Sequence, residues 1–328
     1  MRAWVVRRPG GPEVLELEEV PDPVAGPGWV HLAVESFGLN RAEAVTRAGG
    51  SGDAVMFPRI LGIECVGTVL GAPGGEVAVG SRVAAVMGGM GRAFDGSYAE
   101  QAVVPAAQVM PVSSALTPEE LGAIPETFLT AWGCLHEALE VRPGARVVVR
   151  PGASALGRAV TQIVTDLGGD VIGVTRSAHK ADVLRASGMR EVIVSDGDVA
   201  PRVRELWPDG ATGVIDTVTS SATIRDDLAM RARGGRVCIA GSLAASSGDG
   251  GPGRSVAAAL VRPSVRRYSS EQLAAATHSA ALAAIVERVE SGRYDPGIDR
   301  VIGFDEVADA HAAIDASRYC GKVVVATD

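Results

Sequence analysis

Short apolar runs broken by proline and glycine open the chain and predict a β-rich region over roughly the first hundred residues. Residues 3–6, 14–18 and 30–34 are rich in Val and Leu, and turns at residues 9–12 and 21–27 separate them. Irregular strands with that punctuation predict a partly closed barrel or folded sheet. One helix interrupts them, beginning near Asn40.

The period changes near residue 120. Thr117 precedes Pro118, Glu119 and Glu120, a capping residue followed by a good first helical turn. Strands are then predicted over residues 146–150, 171–174, 191–194, 213–216 and 236–240. Helices over 156–167, 180–186 and 199–206 lie between them. Alternation of this kind predicts an α/β domain built on a doubly wound parallel sheet. A loop-like Ala-Ser-Ser-Gly-Asp-Gly-Gly-Pro-Gly run follows near residue 244. A strand over 265–268, an Ala-rich helix over 271–289 and a last strand over 321–325 complete the pattern. The last strand and the helix before it exceed the strand count of such a sheet, so they are expected to rejoin the N-terminal domain. The expected division is an N-terminal β-rich domain over 1–120, rejoined by about 270–328, and a doubly wound domain over 121–269.

Composition narrows the classes. Hydrophobic residues make up 47% of the 328 and charged residues 21%, a globular mix, while aromatic residues are only 4%. The core is therefore aliphatic, as buried parallel strands require. The formal net charge of −8 comes without a basic block, which argues against nucleic acid as a partner. No apolar run reaches the roughly 18–20 residues of a membrane span, and the N-terminus lacks a signal-peptide layout, so a cytoplasmic location is expected. Cys65, Cys134, Cys238 and Cys320 lie far apart and form no C-x-x-C pair. They read as small buried hydrophobes.

The junction after the first strand of the alternation carries the cofactor signal. Val147-Val148-Val149-Arg150-Pro151-Gly152-Ala153-Ser154-Ala155-Leu156-Gly157 runs from a buried strand through a turn of small residues into a helix. A pyrophosphate needs close backbone approach and the unpaired N–H groups of a helix N-terminus. Gly152, Ser154, Ala155, Leu156 and Gly157 are the candidates, although plain α/β packing explains such a turn as well. An NAD site places an acid on the ribose roughly 20 residues further on. Here the second strand ends in Thr175-Arg176-Ser177, with Lys180 close behind. A cation pairs with a 2′-phosphate, so Arg176, Ser177 and Lys180 favour NADPH; an ordinary exposed turn is the alternative.

These features, taken with Gly10-Gly11-Pro12-Glu13-Val14-Leu15, Phe37-Gly38-Leu39-Asn40-Arg41-Ala42-Glu43, Pro58-Arg59-Ile60-Leu61-Gly62-Ile63-Glu64, Asp95-Gly96-Ser97-Tyr98-Ala99-Glu100, Leu129-Thr130-Ala131-Trp132 and Gly321-Lys322-Val323, resemble the medium-chain dehydrogenase/reductase superfamily. The resemblance is to its zinc-free, quinone oxidoreductase-like branch. It implies a Rossmann domain and an N-terminal GroES-like catalytic domain completed by the C-terminal strand. Zinc members carry a cysteine where this chain has Asn40 and a histidine where it has Ile63, together with a cysteine quartet that is missing here. Ile63 cannot ligate a metal, so no metal site is expected. The resemblance places Asn40 beside the nicotinamide and substrate, Thr130 near the carboxamide, and Gly241 and Ser242 at the nicotinamide end. An N-cap role for Asn40 and a satisfied helix hydroxyl for Thr130 stay open. It also implies a homodimer paired through the strand before Tyr268-Ser269.

Relatives often carry a tyrosine after the Arg-x-Gly that follows the Asn helix. Residues 47–53 here read Arg-Ala-Gly-Gly-Ser-Gly-Asp and have none. Tyr98 looks structural, His136, His278 and His311 read as surface or packing residues within helical segments, and His179 reads as an exposed turn, with a place in the phosphate pocket as the alternative. The expected reaction is hydride transfer from NADPH to a quinone or α,β-unsaturated carbonyl, with Asn40 as hydrogen-bond donor and solvent as proton source. Two rivals remain: a nucleotide-binding sensor or structural protein without redox turnover, and a specialised biosynthetic enoyl reductase.

Overall fold

Residues 1–241 and 259–327 are described in the computed structural model of the protein. They divide into two units, Met1–Leu129 with Ser270–Asp328, and Thr130–Ser269. Unit one begins with strands β1 (Arg2–Val6), β2 (Leu15–Glu19) and β3 (Trp29–Leu39), helix α1 (Arg41–Arg47), and strands β4 (Arg59–Ile60), β5 (Glu64–Gly71), β6 (Arg82–Val86), β7 (Gln101–Pro105) and β8 (Val109–Pro111). Helices α2 (Pro118–Gly122) and α3 (Pro125–Gly133) follow.

Unit two contains β9 (Arg146–Arg150), α4 (Ala155–Asp166), β10 (Asp170–Thr175), α5 (Ala181–Ala186), β11 (Glu191–Val194), α6 (Ala200–Leu206), β12 (Ala211–Asp216), α7 (Ser221–Met230), β13 (Arg231–Ile239) and β14 (Val265–Arg267). The chain then returns to unit one as α8 (Ala275–Glu290), β15 (Ile298–Gly303), α9 (Val307–Asp315) and β16 (Lys322–Ala326).

Unit one is two sheets around one aliphatic core. A small antiparallel sheet has the order β2-β1-β4, and a larger one runs β15-β16-β3-β5-β6-β8 with β7 also on β3. Period-two burial shapes β3, where Val30, Leu32 and Val34 face the core with Phe37 and Leu39. β16 enters antiparallel to β3, with Val323 opposite Leu39 and Val324 opposite Gly38. The last strand therefore completes the N-terminal sheet and sets Lys322 next to the end of β3.

Unit two is a parallel sheet in the order β11-β10-β9-β12-β13-β14. Val147, Val148 and Val149 are fully buried, the unbroken apolar run of a strand covered on both faces. The order reverses between β9 and β12, which opens a crevice at their carboxyl ends, where ligands of such sheets bind. Among the described residues no helix is long and apolar enough to cross a membrane.

Three differences from the sequence reading have physical causes. α7 was not anticipated, because its inner face buries Asp226 and Asp227 beside Ile224 and Met230, so it shows no apolar stripe. The Ala-rich helix starts at Ala275, not 271, because Ser270–Gln272 form a separate 3-10 turn. Glu271 is held there by Arg92 and by the Gly89 N–H at 3.2 Å. The division between units falls after Leu129, not after 120, because α2 packs on β3, β5 and β16. The expected loop near residue 244 lies outside the described residues.

Candidate functional site

In unit one the chemistry gathers where β3 runs into α1. Asn40 holds the N-cap position with extended backbone, but its side chain does not cap the helix. Its N–H donates instead to Glu43 Oε2 at 2.6 Å, leaving the carboxamide free to turn elsewhere. Asn40 Nδ2 donates to Glu64 Oε1 at 2.9 Å and to the Gly38 carbonyl at 3.3 Å, and Oδ1 accepts from Lys322 Nζ at 2.6 Å. Lys322 also donates to Glu64 Oε1 at 2.5 Å, and Glu64 Oε2 accepts from the Glu126 N–H at 2.8 Å. The Lys322 and Glu64 side chains are 1% and 0% exposed, whereas Asn40 stays partly exposed.

Strand order explains the meeting. β3 lies between β16 and β5, so Lys322 and Glu64 converge on Gly38 from its two sides. A larger residue at 38 would push the pair apart, because a Cβ there would lie 2.2 Å from Lys322 Cε and 2.6 Å from Glu64 Oε1.

A second arm extends from Glu43. Its Oε1 accepts from the Ile63 N–H at 2.9 Å and its Oε2 from the Tyr98 hydroxyl at 2.6 Å. Tyr98 Oη lies 2.9 Å from His311 Nε2, and His311 Nδ1 lies 3.1 Å from Arg47 Nη1. Arg47 pairs with Asp315 at 2.6 Å. A guanidinium only donates, and the one Tyr98 hydrogen is committed to Glu43, so His311 carries its proton on Nε2. The donors thus all point toward Glu43. Burial pushes the Glu43 carboxyl up to about 7, against the bonds from Tyr98 and Asn40 and the charge of Lys322. Burial also drives His311 down to about 3, helped by Arg47, and lifts the Tyr98 hydroxyl well above its usual value. His311, which the sequence reads as a surface or packing residue, is fully buried and holds one link of this chain.

The donor set does not suit zinc. Ile63 presents hydrocarbon, and Asn40 Oδ1 and Glu64 Oε1 are already bound to an ammonium. Among the described residues no three His, Cys, Asp or Glu side chains are placed to hold a metal ion.

In unit two the predicted cofactor residues line the carboxyl edge of the parallel sheet. Ser154 caps α4, accepting from the Gly157 N–H at 3.0 Å, and Ala155 and Leu156 form the partly exposed first turn. Gly152 donates to the Val174 carbonyl at 2.7 Å, which sets the turn against the end of β10. A Cβ on Gly152 would come within 2.9 Å of Gly173 Cα, so the turn is closed to larger residues. Arg176 is exposed just beyond β10, Ser177 bonds the His179 ring at 2.8 Å, and Lys180 is buried at the start of α5. The Gly241 carbonyl, after β13, accepts from Thr219 Oγ1 at 2.5 Å. Ser242 lies outside the described residues. Thr130 is buried in α3.

Glu43, Glu64 and Lys322 lie in segments that carry the family resemblance, but the sequence alone assigns them no role. The available signal was a charge at the edge of an apolar strand, as in Gly321-Lys322-Val323-Val324-Val325. A cluster under the crevice was missed as well. Arg150 pairs with Asp226 at 2.6 Å and Asp227 at 3.3 Å, while Asp216 accepts from Thr223 Oγ1 at 2.7 Å.

Residues 26–114 match the family described as alcohol dehydrogenase GroES-like domain, and residues 187–325 the one described as zinc-binding dehydrogenase. The synaptic vesicle membrane protein VAT-1 homolog of Mus musculus is 27% identical over 99% of this chain and 83% of its own. A 2-haloacrylate reductase of a Burkholderia species is 26% identical, covering 98% of both. A quinone oxidoreductase structure from Pseudomonas syringae superposes with a TM-score of 0.86 at 26% identity over 99% of both chains. A mycobacterial protein complexed with NADPH superposes at 0.83 with 27% identity over the full length of both.

Proposed function

Because this chain belongs to the medium-chain dehydrogenase/reductase superfamily, in its quinone oxidoreductase-like branch, we propose that it is a zinc-independent, NADPH-dependent reductase of quinones or α,β-unsaturated carbonyls. The observation that carries the reading is the Asn40–Lys322–Glu64 cluster, in which a buried ammonium occupies the donor atoms a metal would need. Relatives named for reducing a quinone or a haloacrylate, and a neighbour complexed with NADPH, support the substrate class and the cofactor.

Bound NADPH supplies the hydride. Gly152 and the N-terminus of α4 receive the pyrophosphate, and Arg176 with Ser177 receives the 2′-phosphate. Asn40 offers its Nδ2–H to the substrate oxygen as negative charge develops there. Quinones and activated enones yield stabilised anions, so solvent suffices as proton source, in keeping with the missing tyrosine. The homodimer belongs to the same proposal: β14 ends the six-stranded sheet and offers its outer edge to a second copy.

The decisive assay follows loss of nicotinamide absorbance over a panel of quinones and enones, with NADPH and NADH in parallel. Turnover preferring NADPH is expected. Tight NADPH binding without turnover of any acceptor would establish a non-redox nucleotide-binding protein instead.

A further inference from the structure

We infer that Lys322 and Glu64 act through Asn40 as positioning residues, fixing its carboxamide in one orientation and polarising it toward an oxygen that gains negative charge. The inference rests on the reductase reading and adds to it the pair that turns a neutral amide into a strong donor. Lys322 donates to Asn40 Oδ1 at 2.6 Å, and Glu64 accepts from Asn40 Nδ2 at 2.9 Å. A cation on the amide oxygen and an anion on the amide nitrogen both favour the charge-separated form of the amide. Hydrogen bonds coupled in this way strengthen one another in a buried, low-dielectric setting.

The effect falls on the second N–H. That hydrogen faces the Gly38 carbonyl at 3.3 Å, long against the usual 2.9–3.0 Å. An oxygen acquiring negative charge forms a charge-assisted bond, roughly twice as strong as a neutral one. It therefore takes this N–H from Gly38 at little cost.

Orientation follows from the same contacts. A half-turn of the carboxamide would set Oδ1 against the Glu64 carboxylate and Nδ2 against the Lys322 ammonium. Both contacts are repulsive, so what Asn40 can yield to an acceptor is its weakly held second N–H, and its carboxamide offers no base. Such a site suits acceptors that become enolates or hydroquinone anions, and it does not suit abstraction of a proton from an alcohol. The frame is rigid, because both charged side chains are buried and Gly38 leaves room only for them. Lys322 and Glu64 also cancel in net charge, so replacing both removes the local polarisation and leaves the wider field nearly unchanged.

The test uses para-nitrophenol, whose absorption reports whether the bound probe is phenol or phenolate, on the full chain with and without NADP⁺. In the wild type the bound probe is expected to ionise at lower pH than in solution, and Asn40→Ala should abolish that shift. The double variant Lys322→Met/Glu64→Gln keeps an acceptor for Asn40 Nδ2 without the charges. It should lose about one unit of the shift, a tenfold change in the bound ionisation equilibrium. Its kcat for enones should fall about tenfold with KM little changed, and less for quinones. Urea unfolding checks the fold; if the double variant does not fold, Glu64→Gln alone should show the same trend at smaller size. A folded variant that binds phenolate as the wild type does, or a wild type that leaves the probe unshifted, overturns the inference. A shifted probe with no turnover of any quinone or enone sinks the reductase reading and leaves the polarised amide standing.

Discussion

Each unit buries a basic side chain among carboxyl groups, and the Lys322–Glu64 pair of unit one is matched charge for charge where the Arg150 cluster of unit two is not. Both Glu64 oxygens have donors there, Lys322 and Asn40 on Oε1 and the Glu126 N–H on Oε2. In unit two a single guanidinium, Arg150, faces Asp226 and Asp227 with Asp216 adjacent. Asp226 is well served, accepting from the Val199 and Ala200 N–H groups at the start of α6. Asp227 is not: as a carboxylate its oxygens find no hydrogen-bond donor. Burial, then the charge of Asp216, pushes its carboxyl well above the usual range, and as the neutral acid it bonds Asp216. A matched pair fixes the geometry of a site, whereas an excess of acid stores a proton.

Four measurements would break or sharpen this contrast. The largest effect is expected from Lys322→Met alone, which strands the buried Glu64 carboxylate and should cost about 3–5 kcal/mol in urea unfolding. Adding Glu64→Gln should recover most of the loss, since neutral replacement of a buried pair is often tolerated. Arg176→Asp should raise the KM for NADPH at least tenfold, by loss of a charge-assisted bond worth about 1.5–3 kcal/mol. The KM for NADH should move far less, and equal changes for the two cofactors would remove Arg176 from the 2′-phosphate site.

The third measurement is a melting profile against pH. Unfolded, His311 takes up a proton below its ordinary 6.5, but folded only near 3, so its contribution is lost as pH falls from 6.5 toward 3. Glu43 is held up to about 7 against an ordinary 4.5, so its contribution is present below 4.5 and lost as pH rises toward 7. The two slopes oppose between pH 4.5 and 6.5. Glu43→Gln should expose a steeper acid-side loss and His311→Gln a steeper loss toward neutrality; parallel profiles for both variants would refute the coupling. The smallest effect is expected from Asp227→Asn. The raised Asp227 carboxyl makes stability fall as pH rises above 3.8, and the amide should flatten that fall with little change at low pH.

Local pattern carried much of the architecture. The strand read over 191–194 is β11, and Thr117 caps α2 through the Glu120 N–H at 3.3 Å, as its following residues implied. Asn40 was legible as the start of a helix and as a polar position of the superfamily. The partners that define its chemistry were not. Lys322 and Glu64 stand 258 residues apart, and they meet only through the register of β16 on β3 and of β3 on β5. No periodicity in either strand encodes that pairing. α7 failed the helical pattern for the opposite reason, since charge occupies the face where apolar residues were sought. His311 read only as a surface or packing residue of a helical segment, because its partners Tyr98 and Arg47 lie more than 200 residues away in sequence.

The pairing of β16 with β3 also has a consequence for a chain still on the ribosome. Met1–Leu129 is synthesised long before its last strand, with the whole of Thr130–Ser269 in between. At roughly 5–20 residues per second those ~140 residues take on the order of ten seconds. Throughout that interval Glu64 has no ammonium to meet and is better left hydrated, so the first-made segment is expected to stay open while the later one closes. Nascent chains stalled at residue 269 should then be cut by protease within 1–129 and resist it within 130–241, reversing the usual order in which a protein takes shape from its beginning.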